Sequence, residues 1–583
     1  MVDIPENFKL KLSELVSFIY PDADCDALIA QIIQAYWPES QPIRETQRTP
    51  SNVGLWSEDD AVIITYGNSV KDGVHKPLDL LQDFLKRYLG DTITGVHILP
   101  FFPFTSDDGF AVTDYRAVNS ELGSWEDINR IGERFKLMSD LVLNHVSSQS
   151  NWFNEYRQGH EPYDKFFFEA DPKDDVSMVV RPRTNDLLRE VDTAMGKRHV
   201  WCTFSHDQVD LNFANPEVLL EFLRIMRLHV DNGIRIIRLD AVAFIWKEIG
   251  TDCIHLPQTH AIVQLMRLLL DFAEEQVILL TETNVPNTEN LSYFGNRNEA
   301  HAVYNFSLPP LILQSLLSGS SKHLNQWQRA MPPAQMGCAY LNFSASHDGI
   351  GMRPAEGLLD ENEINDVIET VQSFGGLVSM RSTPDGGQKP YELNVTFWDA
   401  LKGTLKGEDD YQLDRFMCSQ SIVMALEGIP AFYIHSLIGT NNHMAGVEKT
   451  GVNRAINRRR WNYSLLRELL DDENTQHAKV LAAMKERIKI RRAQSAFHPN
   501  ATQFTLQLGD QLFGFWRQSY DRSQSIFAIH NVSGEELHVP AVSINLIGGH
   551  NWYDLISGDK IDEHTSDIKF APYQCRWITN RSK

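Results

Sequence analysis

Eight short apolar runs recur along this 583-residue chain, at 61–66, 93–101, 135–143, 234–241, 277–283, 303–306, 340–346 and 429–434. Amphipathic stretches such as 216–230 and 261–273 lie between them. Apolar runs this short are what strands buried on both faces look like, and helical connections between them make the sheet parallel. Eight such units predict an α/β fold built on a closed (β/α)8 barrel, since an open sheet rarely needs eight. Four segments at or just after these runs carry polar side chains: Asp140-Leu141-Val142-Leu143-Asn144-His145, Arg238-Leu239-Asp240-Ala241, Thr281-Glu282-Thr283 and His347-Asp348. In a barrel all strands end at one mouth, so the four segments are expected to meet there.

The rest of the chain reads as attachments to that barrel. Residues 1–58 predict a helical extension, with Leu12, Leu15, Val16 and Ile19 on one periodic face and Leu28, Ile32 and Tyr36 on a second, separated by Pro21. It has too few apolar residues to stand alone and must pack on something else. The barrel is expected over 59–498, with two connections too long for simple loops. One, at about 146–210, is rich in aromatics (Trp152, Phe153, Tyr156, Phe166, Phe167) and predicts a subdomain inserted after the third strand. The other, at about 349–428, contains Thr383-Pro384-Asp385-Gly386-Gly387-Gln388-Lys389-Pro390 and reads as a long wall beside the site. From 499 to 583 short alternating runs (503–508, 512–517, 525–530, 537–539, 575–578) predict a small antiparallel β domain.

A formal net charge of −23 argues against nucleic acid and anionic membranes as partners. An anionic substrate would need a local cluster of Arg or Lys. The six cysteines are scattered with no metal-type spacing, as in a reduced cytosolic protein. Met1-Val2-Asp3-Ile4-Pro5-Glu6 is not a basic segment followed by an apolar run, and no stretch approaches the roughly 20 apolar residues of a membrane span. The expectation is a cytoplasmic protein with no cofactor and no metal. The sequence leaves its oligomeric state open.

Arg238 and Asp240 share one face of a strand, so the guanidinium is expected to keep Asp240 ionised, as a nucleophile requires. Glu282 ends an apolar run, which raises a carboxyl pKa and suits a general acid/base. Two such carboxyls about 5 Å apart would support glycoside cleavage with retention. His145, beside Asn144, and Asp348, beside His347, would hydrogen-bond sugar hydroxyls. Singly, each has a plainer reading: an Asp after a strand is often a helix N-cap, and Arg-x-Asp is often only a salt bridge. Four in register at strand ends are hard to explain that way.

These segments resemble the conserved regions of the α-amylase superfamily, glycoside hydrolase family 13. The resemblance implies Asp240 as nucleophile, Glu282 as acid/base and Asp348 as transition-state stabiliser. Leu99-Pro100-Phe101-Phe102-Pro103, Ser106-Asp107-Asp108-Gly109-Phe110, Arg181-Pro182-Arg183, 201–211 and 346–351 are similar to the sucrose phosphorylase subfamily. That implies a retaining phosphorylase acting on a small α-glucoside and inorganic phosphate, with glucose held by Asp107, Phe110, His145, Arg238 and His347. Arg181 and Arg183, then Arg454 and Arg458, become the expected phosphate and acceptor cations. The acceptor side departs from that subfamily: Lys389-Pro390-Tyr391-Glu392 stands where it carries Asp-Leu-Tyr-Gln, and Phe244 where it carries Tyr. The Pro390–Asn394 and Gly446–Lys449 segments and the N-terminal extension look most like its glucosylglycerate-acting members, whereas Thr184-Asn185-Asp186 departs from them. Lys389, Tyr391 and Glu392 are thus expected at the acceptor, with Lys449 a further cation. Sucrose, sucrose 6′-phosphate and glucosylglycerol stay open as substrates, as does plain hydrolysis or transglucosylation.

Overall fold

The computed structural model describes residues 4–37, 54–273, 276–383, 387–544, 551–561 and 567–581. Residues 384–386 of the Pro/Gly-rich stretch and 38–53 of the predicted N-terminal extension lie outside the described residues.

All eight apolar runs are strands: β1 (Val62–Thr65), β2 (Gly95–Ile98), β3 (Lys136–Val142), β4 (Ile234–Asp240), β5 (Ile278–Thr281), β6 (Ala302–Tyr304), β7 (Ala339–Asn342) and β8 (Ile429–Tyr433). Each pairs in parallel with its neighbours in sequence, and β8 closes on β1 through Val62↔Ala431. Burial explains their composition. Every residue of β1, β2, β5, β6, β7 and β8 is buried, because side chains alternate between the barrel interior and the helix layer and neither faces water.

The helical extension packs against the barrel's outer helices. Glu6–Ile19 buries Phe8, Leu12, Val16 and Ile19, and Phe8 lies 4.4 Å from Phe272 of the helix Pro257–Phe272. Tyr20 donates a hydrogen bond to the Phe213 carbonyl at 3.0 Å. Its apolar face is therefore completed by the barrel, as its short length requires.

Two excursions reach the strand ends that matter. The insertion after β3 is zipped at its base by the antiparallel pair His145–Ser147 and Gln208–Asp210, with His145 opposite Asp210. It holds the helix Asn151–Gln158 and the hairpin Leu188–Thr193/Gly196–Trp201. After β7, Ile350–Gly351, Leu377–Ser382 and Gln388–Asn394 form a three-stranded antiparallel sheet. Its register slips between Ser379↔Glu392 and Met380↔Pro390, so Tyr391 is the extra residue of a bulge.

The C-terminal part carries a six-stranded sheet with two apolar faces. Phe513 and Phe515 of Leu512–Gln518 join the main core, while Leu512 and Trp516 join a second cluster with Val539, Trp552, Ile568 and Phe570. Strict alternation along one strand sends its residues to both. The strands Trp552–Asp554, Lys560–Ile561 and Asp567–Phe570 have no counterpart among the runs predicted from sequence.

Candidate active site

The four polar segments do converge. A pocket of about 70 Å³ is lined by Asp107, Phe110, His145, Arg183, Asp240, Glu282, His347, Asp348, Tyr391 and Arg454, among others. That is room for about half a dozen waters, the space one sugar ring fills.

Its sugar-facing floor is braced from below. Arg238, at the end of β4, is buried and donates from one NH1 group to both Asp240 (2.6 Å) and Asp140. Asp140 is held from the other side by His97 Nε2 at 2.8 Å and does not line the pocket. Its role is to hold Arg238. Asn144, expected near sugar hydroxyls, is likewise a brace: its Oδ1 accepts from Lys247 (2.9 Å) and its Nδ2 donates to Asp210 (3.0 Å). His145 does reach the pocket, its Nε2 lying 3.1 Å from both the Phe110 carbonyl and Gln208 Nε2. Phe110 stacks on His347 with ring centroids 4.9 Å apart and an interplanar angle of 5°. Burial pulls both histidines below their ordinary pKa, and Arg458 and Arg238 reinforce this at His347. Both are neutral near pH 7, hydrogen-bonding groups without charge.

Backbone strain gathers here as well. Asp107 (φ 51°), Asp108 (φ 49°) and Ala241 (φ 53°) are non-glycine residues in the left-handed region. Such conformations persist where the surroundings over-determine them, most often at functional sites. Ala241 also donates its N–H to Glu282 Oε2 at 3.2 Å, tying the residue after Asp240 to the second carboxyl.

The carboxyls differ in charge state. Burial pushes Asp240 well above the ordinary carboxylate range; Arg238 opposes this, while Glu282 and Asp140 push the same way. Arg238 pulls Asp240 toward its charged form, as expected from the sequence, but its guanidinium is shared with Asp140 and works against desolvation. Glu282 is also raised, by burial and by Asp348, as its apolar strand predicted. Asp348 goes the other way: in spite of burial, Arg454, Arg458 and Arg238 hold it low. The 2.6 Å guanidinium contact favours the charged form of Asp240 against its burial.

The expected acceptor cations are not equivalent. Arg454 is strongly engaged, donating through Nε and NH2 to Glu392 (2.8 and 2.9 Å) and pairing through NH1 with Asp348 at 2.6 Å. Arg458 donates to the His347 carbonyl (2.8 Å) and Asp108 (3.0 Å), with Asp107 at 3.5 Å and Asp348 at 3.7 Å. Both arginines position carboxylates, and Arg454 also lines the pocket. Glu392, correspondingly, is buried against Arg454 and absent from the pocket lining. Arg183 does line the pocket, its guanidinium 4.9 Å from the Tyr391 ring and 5.9 Å from Phe204. Arg181 does not line it. Lys389 and Lys449 are exposed and outside the pocket lining. The Tyr391 bulge explains the contrast: plain alternation would have put Lys389 and Tyr391 on one face.

Sequence reasoning passed over Gln208, Asn284 and Arg353, which line the pocket, and Lys247, which braces it. Gln208 lies within the 201–211 motif and Arg353 shortly after His347-Asp348 on the same loop, so proximity to a motif was the available signal.

A parallel barrel whose strand ends gather two raised carboxyls, a third held low and two neutral histidines round a sugar-sized pocket is the architecture of a carbohydrate-active enzyme. Residues 72–349 match the α-amylase catalytic domain model. The chain is 42% identical to a glucosylglycerate phosphorylase of Spirochaeta thermophila over 98% of each chain. It is 40% identical to one of Escherichia coli, over 90% of this chain and 92% of that one. The crystal structure of a sucrose 6F-phosphate phosphorylase from Thermoanaerobacter thermosaccharolyticum superposes with a TM-score of 0.72 at 23% identity, covering 89% of this chain and 100% of the other. This chain belongs to glycoside hydrolase family 13, the α-amylase family, in the branch shared by sucrose and glucosylglycerate phosphorylases. Among the described residues no helix is long and apolar enough to cross a membrane.

Proposed function

We propose that this enzyme is a retaining α-glucoside phosphorylase whose preferred substrate is 2-O-α-glucosylglycerate, working in the cytoplasm. In the first step Asp240 attacks the anomeric carbon while Glu282 gives its proton to the departing glycerate oxygen, leaving a β-glucosyl-enzyme. In the second, a phosphate oxygen bonds to that carbon, the Asp240 ester breaks, and the Glu282 carboxylate takes the proton from phosphate. The product is α-glucose 1-phosphate. Asp348, Asp107, His145 and His347 would hold the sugar hydroxyls, and Phe110 a ring face.

The observation that carries this reading is the likeness over nearly the full chain to a glucosylglycerate phosphorylase, together with Arg183 left free of carboxylates in the pocket. A free cation there suits anions, both the leaving glycerate and the entering phosphate. The test is incubation with 2-O-α-glucosylglycerate, with and without phosphate. Phosphate-dependent α-glucose 1-phosphate is expected; release of free glucose alone would make the enzyme a hydrolase. Faster phosphorolysis of sucrose, sucrose 6′-phosphate or glucosylglycerol would move the acceptor assignment.

A further inference from the structure

The arginines around the catalytic pocket fall into two groups. Arg238, Arg454 and Arg458 each engage at least two carboxylates. Arg183 and Arg353 do not. Arg353 lines the pocket, mostly buried, and its one ion pair among the described residues is a loose 3.6 Å contact from NH2 to Glu289 Oε2. At that distance its remaining donors are open to a ligand.

Its position is nevertheless fixed. Glu289 Oε2 lies 3.1 Å from His255 Nε2, and His255 Nδ1 lies 2.8 Å from the Tyr293 hydroxyl. Burial pulls His255 down to about 4, so it is neutral at physiological pH and leaves the charge of Glu289 to Arg353. The backbone on the other side is set by Gly351, where any Cβ would meet Asn284 Oδ1 at 2.7 Å. Asn284 lines the same pocket, and its Oδ1 is buried with no hydrogen-bond partner among the described residues. An underused guanidinium and an unpaired carbonyl oxygen in one pocket offer what a small hydroxy acid presents: a carboxylate to bind and a hydroxyl to accept from.

We infer that Arg353 is a specificity-determining residue that binds the carboxylate of the acceptor, with Asn284 accepting a hydrogen bond from an acceptor hydroxyl. This rests on the phosphorylase reading above and deepens it. It explains how a chain of strongly negative charge selects an anion: the selection is local, by a donor the neighbouring carboxylates have not consumed. An uncharged triol of the same size would satisfy Asn284 and leave Arg353 unused.

The test runs the reaction in the synthetic direction, with α-glucose 1-phosphate as donor and D-glycerate, glycerol or water as acceptor, reading released phosphate and the glucosylated product. Arg353→Gln is expected to raise the KM for glycerate about 10- to 100-fold, the worth of one charge-assisted hydrogen bond, while transfer to glycerol and to water holds within about twofold. Arg353→Lys, which keeps the charge without the fork, is expected to fall between. An unchanged ratio of glycerate to glycerol transfer in Arg353→Gln would overturn the inference while leaving the phosphorylase reading intact. Equal loss of all three activities in both variants would overturn it too, marking Arg353 as structural. If the unaltered enzyme transfers nothing to glycerate but does to another acceptor, the substrate assignment itself is wrong and this inference falls with it.

Discussion

The two halves of the catalytic pocket are built on different principles. The sugar half is bolted to barrel strands: Arg238 and Asp240 end β4, and Asp140 beneath them belongs to β3. Every charge there is answered by another, through Arg238, His97, Arg458 and Lys247. The acceptor half hangs on excursions, with Arg183 in the insertion after β3 and Tyr391 and Arg353 on the segment after β7. Among the described residues, Arg183 and Arg353 carry at most one loose ion pair between them, unlike the third lining arginine, Arg454. A site that must hold one fixed sugar needs rigid, satisfied groups, whereas one that exchanges an organic anion for phosphate needs donors left unspent.

The sharpest way to break this contrast is at the chemistry itself. Glu282→Gln is expected to lower kcat about 10²- to 10⁴-fold, and Asp240→Asn at least as much, measured by α-glucose 1-phosphate formation. A variant at either position that keeps near-normal rate would remove the sugar half from catalysis. Arg238→Ala leaves Asp240 buried without its guanidinium and Asp140 with His97 alone, and should cost about 3–5 kcal/mol of stability, read from denaturant unfolding. Loss of activity without loss of stability would mean the floor is less braced than its geometry implies.

The acceptor half should respond more gently. Arg183→Lys is expected to raise the KM for phosphate about tenfold while hydrolysis of an uncharged α-glucoside stays unchanged, because the planar fork over Tyr391 is lost and the sugar subsite is not. Smallest of all, Lys389→Ala and Lys449→Ala should leave the KM for glycerate within about twofold. A larger effect from either would show that the acceptor reaches beyond the pocket.

The pH dependence separates these carboxyls by sign. Glu282 is raised, so the glucosylation step should persist to higher pH than an ordinary carboxylic acid allows, then fall as pH rises through the folded value. Glu392 and Asp348 are depressed below the unfolded carboxylate range near pH 4, so the stability they contribute is present above that pH. It is lost as pH falls through the folded values. Glu392→Gln, which unpairs Arg454 from one partner, should therefore flatten the acid side of the stability profile; an unchanged acid limb would deny that the pair is coupled to folding.

How much of this was legible depended on whether a residue's environment is local. The eight barrel strands were, because a strand buried on both faces must be apolar throughout, and their carboxylate ends marked the mouth. Glu282 was readable as a raised carboxyl from the apolar run before it. That Tyr391 lines the pocket while Lys389 does not was unreadable, because nothing in the residue order announces the bulge at Tyr391. Arg454 and Arg458 looked like free cations because their carboxylate partners, Glu392 and Asp108, lie far away in sequence.

By itself, then, the sequence determined the barrel, the mouth at which the chemistry gathers, and the carboxyls that carry it. Those follow from apolar periodicity and from side chains fixed to strand ends. Only the tertiary structure decided which arginines remain available to an incoming anion. Availability is a property of pairs: a guanidinium is spent or unspent according to the carboxylates the fold brings within about 3 Å of it, and those come from elsewhere in the chain.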